Sequence, residues 1–371
     1  MKILIGADIV PTNSNVESFE NADIDRLVDC YLKELLNSAD FRVFNLEVPL
    51  TDCEMPIKKC GPNLIAPTST CIGINALGVD LVTLANNHIM DQDVQGLDST
   101  IEILEKNGIG HFGAGSNFSG LQHSFVYEKD GIRVGFYACA EHEFSIATND
   151  KAGANPFDPL ESLDHIVKLK SECDYVVVLY HGGKEHYRYQ SPMLQKTLRK
   201  CVDKGADLVI AQHTHCVGCE EKYRTGTIVY GQGNFMFDAH SNEFWDTSLL
   251  ISVDVEQDKF DVNYIPLCRV DGGVRTANSD ESRDILGGFY SRSEAIKNTE
   301  FVAKKYDEFA KEMITNYVNG LFGDNIIFRV VNKLLGHRLK IKLSEKKRYA
   351  LINYIECEAH RELFLRGIND E

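Results

Sequence analysis

Residues that can bind a metal ion follow apolar, strand-like segments at five places between Asp8 and His215. They comprise two carboxylates, one amide and three imidazoles, namely Asp8, Glu47, Asn87, His181, His213 and His215. Taken singly, such a residue is usually a helix cap or a hydrogen-bonded histidine of the core. Together, their mixed nitrogen and oxygen ligands suit Zn, Mn, Fe or a related divalent ion. Because open α/β folds build their sites at the carboxyl ends of strands, we expect these side chains to converge on a dinuclear metal centre.

Two short spacings bear on metal binding. In His213-Thr214-His215, the alternation of a strand end would point both imidazoles the same way, so that one faces each of two neighbouring ions. Cys216 and Cys219 also have metal-ligand spacing, but no second Cys-x-x-Cys or His-x-x-x-His pair accompanies them. We therefore interpret these two cysteines as reduced thiols of the core.

The elements that must position these residues follow from the hydropathy pattern. Over about the first 240 residues, apolar β-branched runs alternate with helical patterns, which is typical of an α/β fold with a parallel or mixed sheet system. We predict strands at 2–7, 41–46, 80–84, 175–180, 207–211 and 227–230. We predict hairpins from 125–128 with 133–138 and from 249–255 with 260–266, and helices at 23–37, 97–107, 160–171 and 192–204.

The sequence changes character after Val270. Asp271-Gly272-Gly273 and the polar run from Asn278 to Asp284 are predicted to form a linker. Beyond it strand signals end, and residues 299–320 and 343–366 have helical spacing. We therefore predict two domains, at 1–275 and 276–371. The Lys- and Arg-rich stretch at 329–348 is either a docking surface for an anionic partner or a solvated helix face, and we favour the second interpretation.

Composition restricts the classes of protein that fit. The 371 residues have 43% hydrophobic content and a formal net charge of −16, which is typical of a globular chain and opposes binding to nucleic acid or an anionic membrane. No apolar run is long enough to cross a bilayer, and the apolar start of the chain ends at Asp8, so we expect a strand there and no membrane anchor. Eleven scattered cysteines favour a reducing compartment, and we expect a cytoplasmic protein.

A set of short motifs, in order along residues 1–240, resembles a known family. They are Gly6-Ala7-Asp8, Asn45-Leu46-Glu47, the run from Leu84 to Asp91, Gly113-Ala114-Gly115, the run from His181 to Glu185, the run from Gly205 to His215, and the run from Gly231 to Phe235. Together they are similar to the bacterial CapA family, also called the poly-γ-glutamate capsule family, of the calcineurin-like metallophosphoesterase superfamily. The resemblance implies an α/β fold, a four-layer α/β/β/α sandwich, here with a C-terminal helical extension.

The resemblance also implies roles for individual residues. Glu47 would bridge two divalent ions (Mn, Zn or Fe), with Asp8 and His215 on one ion and Asn87, His181 and His213 on the other. His88 would be the leaving-group acid or transition-state stabiliser, with Asp91 fixing its tautomer. Glu185 would assist catalysis from beside the metals or be a surface residue. The remaining candidates are the substrate contacts Arg188, Tyr189 and Asn234, of which the first two could equally decorate a loop.

The chain departs from the superfamily pattern at three positions. Asp8-Ile9-Val10 stands where the superfamily has Asp-x-His, so one imidazole of the first metal is missing. Glu47 replaces the bridging Asp, and Asp93 replaces a Gly that usually follows two places after Asp91. The first site would then bind metal more weakly, or recruit Glu185 or water as a substitute ligand.

These observations favour a metal-dependent hydrolase, phosphoesterase-like and associated with capsule or exopolymer biosynthesis. Its expected substrate is a small anionic or polymeric molecule, and its expected partners are capsule-machinery proteins or further copies of the chain. The alternative is a non-catalytic, metal-stabilised component of a polymer assembly system. A protein that kept the fold but lost catalytic activity is disfavoured. Without selection for activity, there would be no reason for Asn87, His88, His213 and His215 all to remain.

Overall fold

The computed structural model describes residues 1–238, 242–323, 331–335 and 339–369. The chain forms two compact units, Met1–Ala303 and Lys304–Glu371. Among the described residues the strands are β1 (Lys2–Val10), β2 (Phe41–Leu46), β3 (Leu81–Thr83), β4 (Gly110–Phe112), β5 (Ala114–Gly115), β6 (Ser124–Lys129), β7 (Ile132–Ala140), β8 (Gly153–Ala154), β9 (Tyr175–His181), β10 (Leu208–Gln212), β11 (Glu220–Tyr223), β12 (Gly226–Tyr230), β13 (Asn234–Phe237), β14 (Thr247–Glu256), β15 (Lys259–Val270) and β16 (Gly273–Thr276).

The α-helices of the same residues are α1 (Val16–Glu20), α2 (Ile24–Leu27), α3 (Cys30–Ser38), α4 (Cys71–Ala76), α5 (Asp93–Lys106), α6 (Ser162–Glu172), α7 (Pro192–Asp203), α8 (Ser279–Ala295), α9 (Thr299–Phe322), α10 (Glu345–Glu356) and α11 (Glu358–Asn369). Within this part of the chain, no helix has the length and apolar character that a membrane crossing requires.

Two mixed sheets make up most of the first unit. The larger has the order β16-β15-β14-β1-β2-β3-β4, with β13 also paired to β1, and the smaller has the order β11-β12-β10-β9-β7-β6. In the larger sheet β1, β2, β3 and β4 run parallel, and in the smaller sheet β7, β9, β10 and β12 do. Each sheet therefore presents the carboxyl ends of several parallel strands at one edge, where polar residues of α/β folds collect.

The alternation of side chains along the strands builds three apolar layers. Ile3 and Ile5 of β1 pack between the two sheets, together with Phe136 of β7 and Leu208 of β10. The intervening Leu4 faces the opposite way, because successive side chains of a strand point to opposite faces. It joins the layer in which helices α1, α3, α4 and α5 cover the larger sheet.

The outer face of the smaller sheet is covered in the same way. Val176 and Val178 of β9 pack against Ile166 of α6 and against Leu194 and Leu198 of α7. The order of layers is therefore helix, sheet, sheet, helix, and the predicted four-layer sandwich is confirmed.

Most predicted strands and both predicted hairpins are present. β2 has the predicted bounds, β6 pairs with β7, and β14 pairs with β15, both antiparallel. The single helix predicted at 23–37 is wrong, because Val28 is extended and Asp29 begins a new helix by accepting from the Leu32 amide at 3.2 Å. Likewise, the helical segment predicted at 343–366 is divided at Cys357, which is extended.

The predicted linker after Val270 is also wrong. Asp271 and Gly272 form the turn of a hairpin, which joins β15 to the unpredicted strand β16. The polar residues that follow begin helix α8, where the Asn278 side chain accepts from the amides of Asp280 and Glu281, and the Glu281 side chain accepts from the Asn278 amide. This reciprocal arrangement is a capping box, so the polar run is a helix start and not a linker.

Helix α8 belongs to the first compact unit. Its Phe289 is fully buried in the apolar layer between the sheets, with its ring 4.8 Å from that of Tyr264. Its Arg292 donates to the Gly218 carbonyl at 2.7 Å. The division of the chain into domains at 275 and 276 stays a prediction, and the basic stretch predicted at 329–348 lies partly outside the described residues.

The capping box gives a test of the start of α8. Replacing Asn278 with Ala removes the acceptor of two amide hydrogen bonds, and we expect the free energy of unfolding to fall by about 1 kcal/mol. Urea denaturation of the full chain measures this difference. Asn75→Ala is the matched control, because Asn75 is exposed within α4 and Ala is the better helix former there. Equal stability of the two variants would contradict the capping role.

Candidate metal centre

Both sheets deliver polar side chains to one place in the first unit. Asp8 lies on β1, Glu47 directly follows β2, and Asn87 lies in the loop after β3. From the smaller sheet, His181 ends β9, and the segment with His213 and His215 follows β10. All six side chains predicted as metal ligands are 8% exposed or less.

Direct contacts join the six side chains. The His181 Nε2 atom lies 2.9 Å from Asn87 Oδ1 and 3.2 Å from Glu47 Oε1. The His215 Nδ1 atom lies 3.5 Å from Asp8 Oδ2. The rings of His213 and His181 have centroids 4.9 Å apart, and those of His213 and His215 are 5.7 Å apart. The structure therefore brings the six residues together, while their roles as ligands stay a prediction.

The two histidines after β10 face the cluster for a different reason from the one predicted. Strand β10 ends at Gln212, so strand alternation does not orient them. Instead, His213 and His215 have φ angles of 80° and 51°, in the left-handed region that side chains other than Gly rarely adopt. Such backbone conformations concentrate at functional sites, where the surroundings hold them.

Asparagines unnoticed in the sequence connect the elements around Asp8. Asn45, at the end of β2, donates to Asp8 Oδ1 at 2.8 Å and lies 3.3 Å from His181 Nδ1. Asn86 in turn donates to Asn45 Oδ1 and to the Leu46 carbonyl. Its own Oδ1 accepts from two amides of the loop that carries His88. This network links β1, β2, β9 and the loop after β3 without occupying the oxygens of Glu47.

The carboxylates of the cluster are short of hydrogen-bond donors. Neither Glu47 oxygen, nor Asp8 Oδ2, accepts a well-aligned hydrogen bond from any residue that the structure describes. Buried polar atoms without partners are rare in native proteins and call for an explanation such as an ion. One ligand atom from each of Glu47, His213 and His215 lies within 4.8 Å of the others, which is compact enough for a common cation. The residues present therefore fit a divalent metal.

Electrostatics in the cluster are dominated by burial and by these close charges. Burial raises the pKa of Asp8, and the Glu47 carboxylate raises it further. Burial acts in the same direction on Glu47, but the cationic forms of His181 and His215 outweigh it and hold the Glu47 pKa below its ordinary value. Burial, followed by His181 and His215, lowers the pKa of His213, which favours the neutral imidazole that binds metals.

His215 is the exception among the histidines. Burial opposes its charged form, but the Glu47 and Asp8 carboxylates outweigh burial and raise the pKa of His215 to about 9. Its Nδ1 also lies 2.7 Å from Asn234 Oδ1. Asn234, predicted as a substrate contact, is thus placed beside His215, where it orients the ring.

The predicted pair of His88 and Asp91 is formed. The His88 Nδ1 atom lies 2.5 Å from Asp91 Oδ2, and Asp91 is fully buried. Asp91 Oδ1 accepts from the ammonium of Lys59, a residue that no sequence pattern predicted. Asp93, which replaces a Gly of the superfamily pattern, has a φ of 57°, so it occupies the left-handed conformation that favours glycine and that Asp tolerates better than most residues.

Two acidic residues lie at the exposed side of the cluster. Glu185, predicted to be catalytic, has its Oε1 3.9 Å from His213 Nε2. Glu143, which sequence reasoning missed, has Oε1 3.7 Å from the same nitrogen and accepts from Asn87 Nδ2 at 3.2 Å. Glu143 comes shortly after β7, so the rule that found the other residues, polar side chains beyond a strand end, applies to it as well.

Arg188 and Tyr189, predicted as substrate contacts, are engaged elsewhere. The Arg188 guanidinium donates to the Val217 carbonyl at 3.1 Å and lies over the ring of Phe244. The Tyr189 ring packs edge-on against Phe301, at 5.5 Å between centroids. Their role toward a substrate stays a prediction.

The cysteine pair noted in the sequence and the single tryptophan of the chain both lie near the cluster. Cys216 and Cys219 are buried free thiols, and burial raises the Cys216 pKa to about 11, which opposes a metal-binding thiolate. Trp245, the one tryptophan of the chain, stacks on His215 with ring centroids 4.7 Å apart. A natural fluorophore therefore lies against a candidate metal ligand.

The layered architecture is the four-layer α/β/β/α sandwich, with a polar cluster at the strand ends. A family model described as bacterial capsule synthesis protein PGA_cap matches residues 2–239. The chain belongs to this family of bacterial capsule synthesis proteins.

Individual relatives have related names. The chain is 29% identical over 229 residues to the capsule biosynthesis protein CapA of Bacillus anthracis, covering 59% of this chain and 56% of that protein. It is 27% identical over 226 residues to the PGA biosynthesis protein CapA of Bacillus subtilis strain 168, covering 59% of each. The match therefore spans a little over half the length of these relatives.

A solved structure described as a novel phosphatase from Mycoplasma pneumoniae superposes with a TM-score of 0.46 and 16% identity, covering 73% of this chain and 94% of that chain.

The stacking of Trp245 on His215 allows metal binding to be measured directly. We expect Mn²⁺ to quench the tryptophan fluorescence of the chelator-treated chain, because a paramagnetic ion held by His215 would lie close to the indole. Glu47→Gln removes a buried charge from the cluster and should weaken Mn²⁺ binding at least about 10-fold, the lower end of the effect reported for residues that support metal ligands.

Glu17→Gln, at an exposed position of α1, is the matched control and should bind as the unmodified chain does. Fluorescence that does not respond to Mn²⁺, or a Glu47→Gln titration that overlays the control, would contradict the metal assignment.

Proposed function

We propose that this protein is a metal-dependent hydrolase that acts on a phosphoester or a comparable acyl centre. The observation that supports the proposal is the convergence of Asp8, Glu47 and three histidines at the strand ends of both sheets, with carboxylate oxygens that lack protein donors. Divalent ions held there would polarise the oxygen of the scissile group and promote the ionisation of water at neutral pH. We further propose a dinuclear centre, as the resemblance implies.

His88 is suited to assist the departing group. Asp91 accepts a hydrogen bond from Nδ1 of His88, so the other ring nitrogen, Nε2, is available for proton transfer. As an imidazolium, His88 carries a hydrogen on both ring nitrogens. When it gives the Nε2 proton to the leaving oxygen, the neutral tautomer that remains carries its hydrogen on Nδ1, which is the form that Asp91 stabilises. His88 directly follows the proposed ligand Asn87, so it would lie beside a metal-bound substrate.

The biological setting of the proposed activity follows from the family. Proteins of this family are named for capsule synthesis, and a relative from Bacillus subtilis is named for PGA biosynthesis. We propose that the substrate is an anionic group in an exopolymer or in one of its precursors. The partners would be capsule-machinery proteins or further copies of this chain.

A panel of phosphomonoesters and phosphodiesters tests the hydrolase proposal. The chelator-treated full chain should be inactive and regain turnover with Mn²⁺ or Zn²⁺. His88→Ala should lower kcat by about 10²- to 10⁴-fold, the usual contribution of a general acid, while metal binding persists. His142→Ala, at an exposed histidine in the loop after β7, is the control and should leave kcat unchanged.

A different outcome would favour the non-catalytic alternative. If the folded chain binds the metal yet hydrolyses no member of the panel, the hydrolase proposal is wrong. The metal would then stabilise a component of the polymer assembly system. In that case His88→Ala should not affect polymer production in cells, while neutralising the Lys and Arg residues between 329 and 348 should reduce it.

A further inference from the structure

Lys59 is a buried cation inside an irregular segment. Its side chain is 3% exposed, although it lies in the loop between β2 and α4 and not on a helix or strand. Burying an ammonium group is costly unless it is paired and hydrogen-bonded. The partner of Lys59 is Asp91, which lies 32 residues further along the chain and is itself fully buried.

The loop that carries Lys59 is fastened to the chain around Asp91. The Leu64 amide donates to Asp91 Oδ2 at 2.6 Å, and the Ile57 amide donates to the Asp91 carbonyl at 3.2 Å. The Met55 amide donates to Gln92 Oε1 at 2.7 Å, and Gln92 Nε2 donates back to the Leu64 carbonyl. These bonds on both sides of Lys59 place its ammonium at a defined position.

The distances around His88 indicate which of its ring nitrogens carries the hydrogen. The Lys59 Nζ atom lies 3.2 Å from His88 Nδ1, so the ammonium could in principle donate to that nitrogen. In that case Nδ1 would carry no hydrogen, and its lone pair would face Asp91 Oδ2 at only 2.5 Å. Two acceptors at that separation repel each other. The hydrogen therefore belongs on Nδ1 and is donated to Oδ2, while Lys59 donates to Oδ1.

We infer that Lys59 is a positioning residue of the His88–Asp91 pair. By occupying Oδ1 of Asp91, Lys59 acts together with the Leu64 amide on Oδ2 to keep the carboxylate from rotating, so that Oδ2 faces His88. The imidazole is thereby held in the tautomer whose Nε2 is available for proton transfer. The consequence for catalysis rests on the proposed hydrolase function, whereas the consequence for the tautomer does not.

The first test is spectroscopic and needs no substrate. In the ¹⁵N-labelled, metal-free full chain, the His88 signals, assigned by their loss in His88→Gln, should report a hydrogen fixed on Nδ1. In Lys59→Met the carboxylate keeps the Leu64 amide on Oδ2 but loses its partner on Oδ1. It is then free to turn away from His88, so the two ring nitrogens should move toward an averaged shift as both tautomers become populated. Lys58→Met, at the exposed neighbouring position, should leave the His88 signals unchanged.

The second test is kinetic and uses two substrates of different leaving-group quality. With Mn²⁺ present, Lys59→Met should lower kcat for phenyl phosphate by about 10- to 100-fold, the effect typical of residues that orient functional side chains. The loss for p-nitrophenyl phosphate should be smaller, because its leaving group needs less protonation. Lys59→Arg, which keeps the cation, should restore part of the rate with phenyl phosphate.

Each outcome decides for or against the inference. Unchanged His88 signals in Lys59→Met, or equal rate losses for both substrates, would overturn it. If Lys59→Met does not fold, Lys59→Leu replaces it, since a smaller apolar side chain also removes the donor to Asp91 Oδ1. An unaltered tautomer in that variant would likewise overturn the inference. If the unmodified chain hydrolyses neither substrate, the proposed function fails, and the spectra alone decide the role of Lys59.

Discussion

Two carboxylates, Asp8 and Glu47, are buried side by side with too few protein donors, and the arrangement of the first unit depends on how their charge is balanced. A buried carboxylate without a partner is costly, so the surroundings must supply positive charge. His215 is buried, but the two carboxylates raise its pKa to about 9, so it supplies part of this charge in the metal-free protein. A divalent cation would supply it more completely, and would also occupy the oxygens for which no described residue provides a well-aligned donor.

The fold brings these charges together by facing two sheets with parallel strands. Apolar side chains of β1 and β7 fill the space between the sheets, so the ends of those strands meet at one edge. Side chains also tie the larger sheet to its surroundings near Asp8. Gln212 of β10 donates to the Gly6 carbonyl at 3.2 Å, and Gln232 donates to the Ile5 carbonyl at 2.6 Å. The pairing of β1 with β2 shifts register between Ile5 and Asp8, the same stretch of β1 that accepts these two bonds.

Sequence patterns predicted the elements whose stability is local or strongly periodic. β2 and the helix capped by Ser191 are examples, because a run of buried apolar residues and a side-chain cap are both visible in a short window. Elements that depend on distant partners were missed. Val28 pairs with Val274, and Asp29 accepts from both donors of Thr276, which ends one helix and begins another. No local pattern reveals a contact across almost 250 residues.

The candidate site shows the same limit. The six proposed ligands were found because each follows a strand, and the convergence of strand ends is a general property of such folds. Lys59 was not found, because it lies in an irregular loop and its role depends on its contact with Asp91, which is distant in sequence. The orientation of His213 and His215 was expected from strand alternation, whereas a left-handed backbone provides it. The identity of the proposed ligands could thus be predicted from the sequence. The backbone conformation that orients their side chains could not.

Crystallography with a manganese-loaded full chain tests the central claim most directly, since anomalous scattering locates the ion without reference to activity. The account predicts an anomalous peak bounded by Glu47, His213 and His215, with a second peak if the centre is dinuclear. Anomalous density confined to surface carboxylates, with Glu47 and the histidines bonded only to each other or to water at saturating manganese, would contradict it.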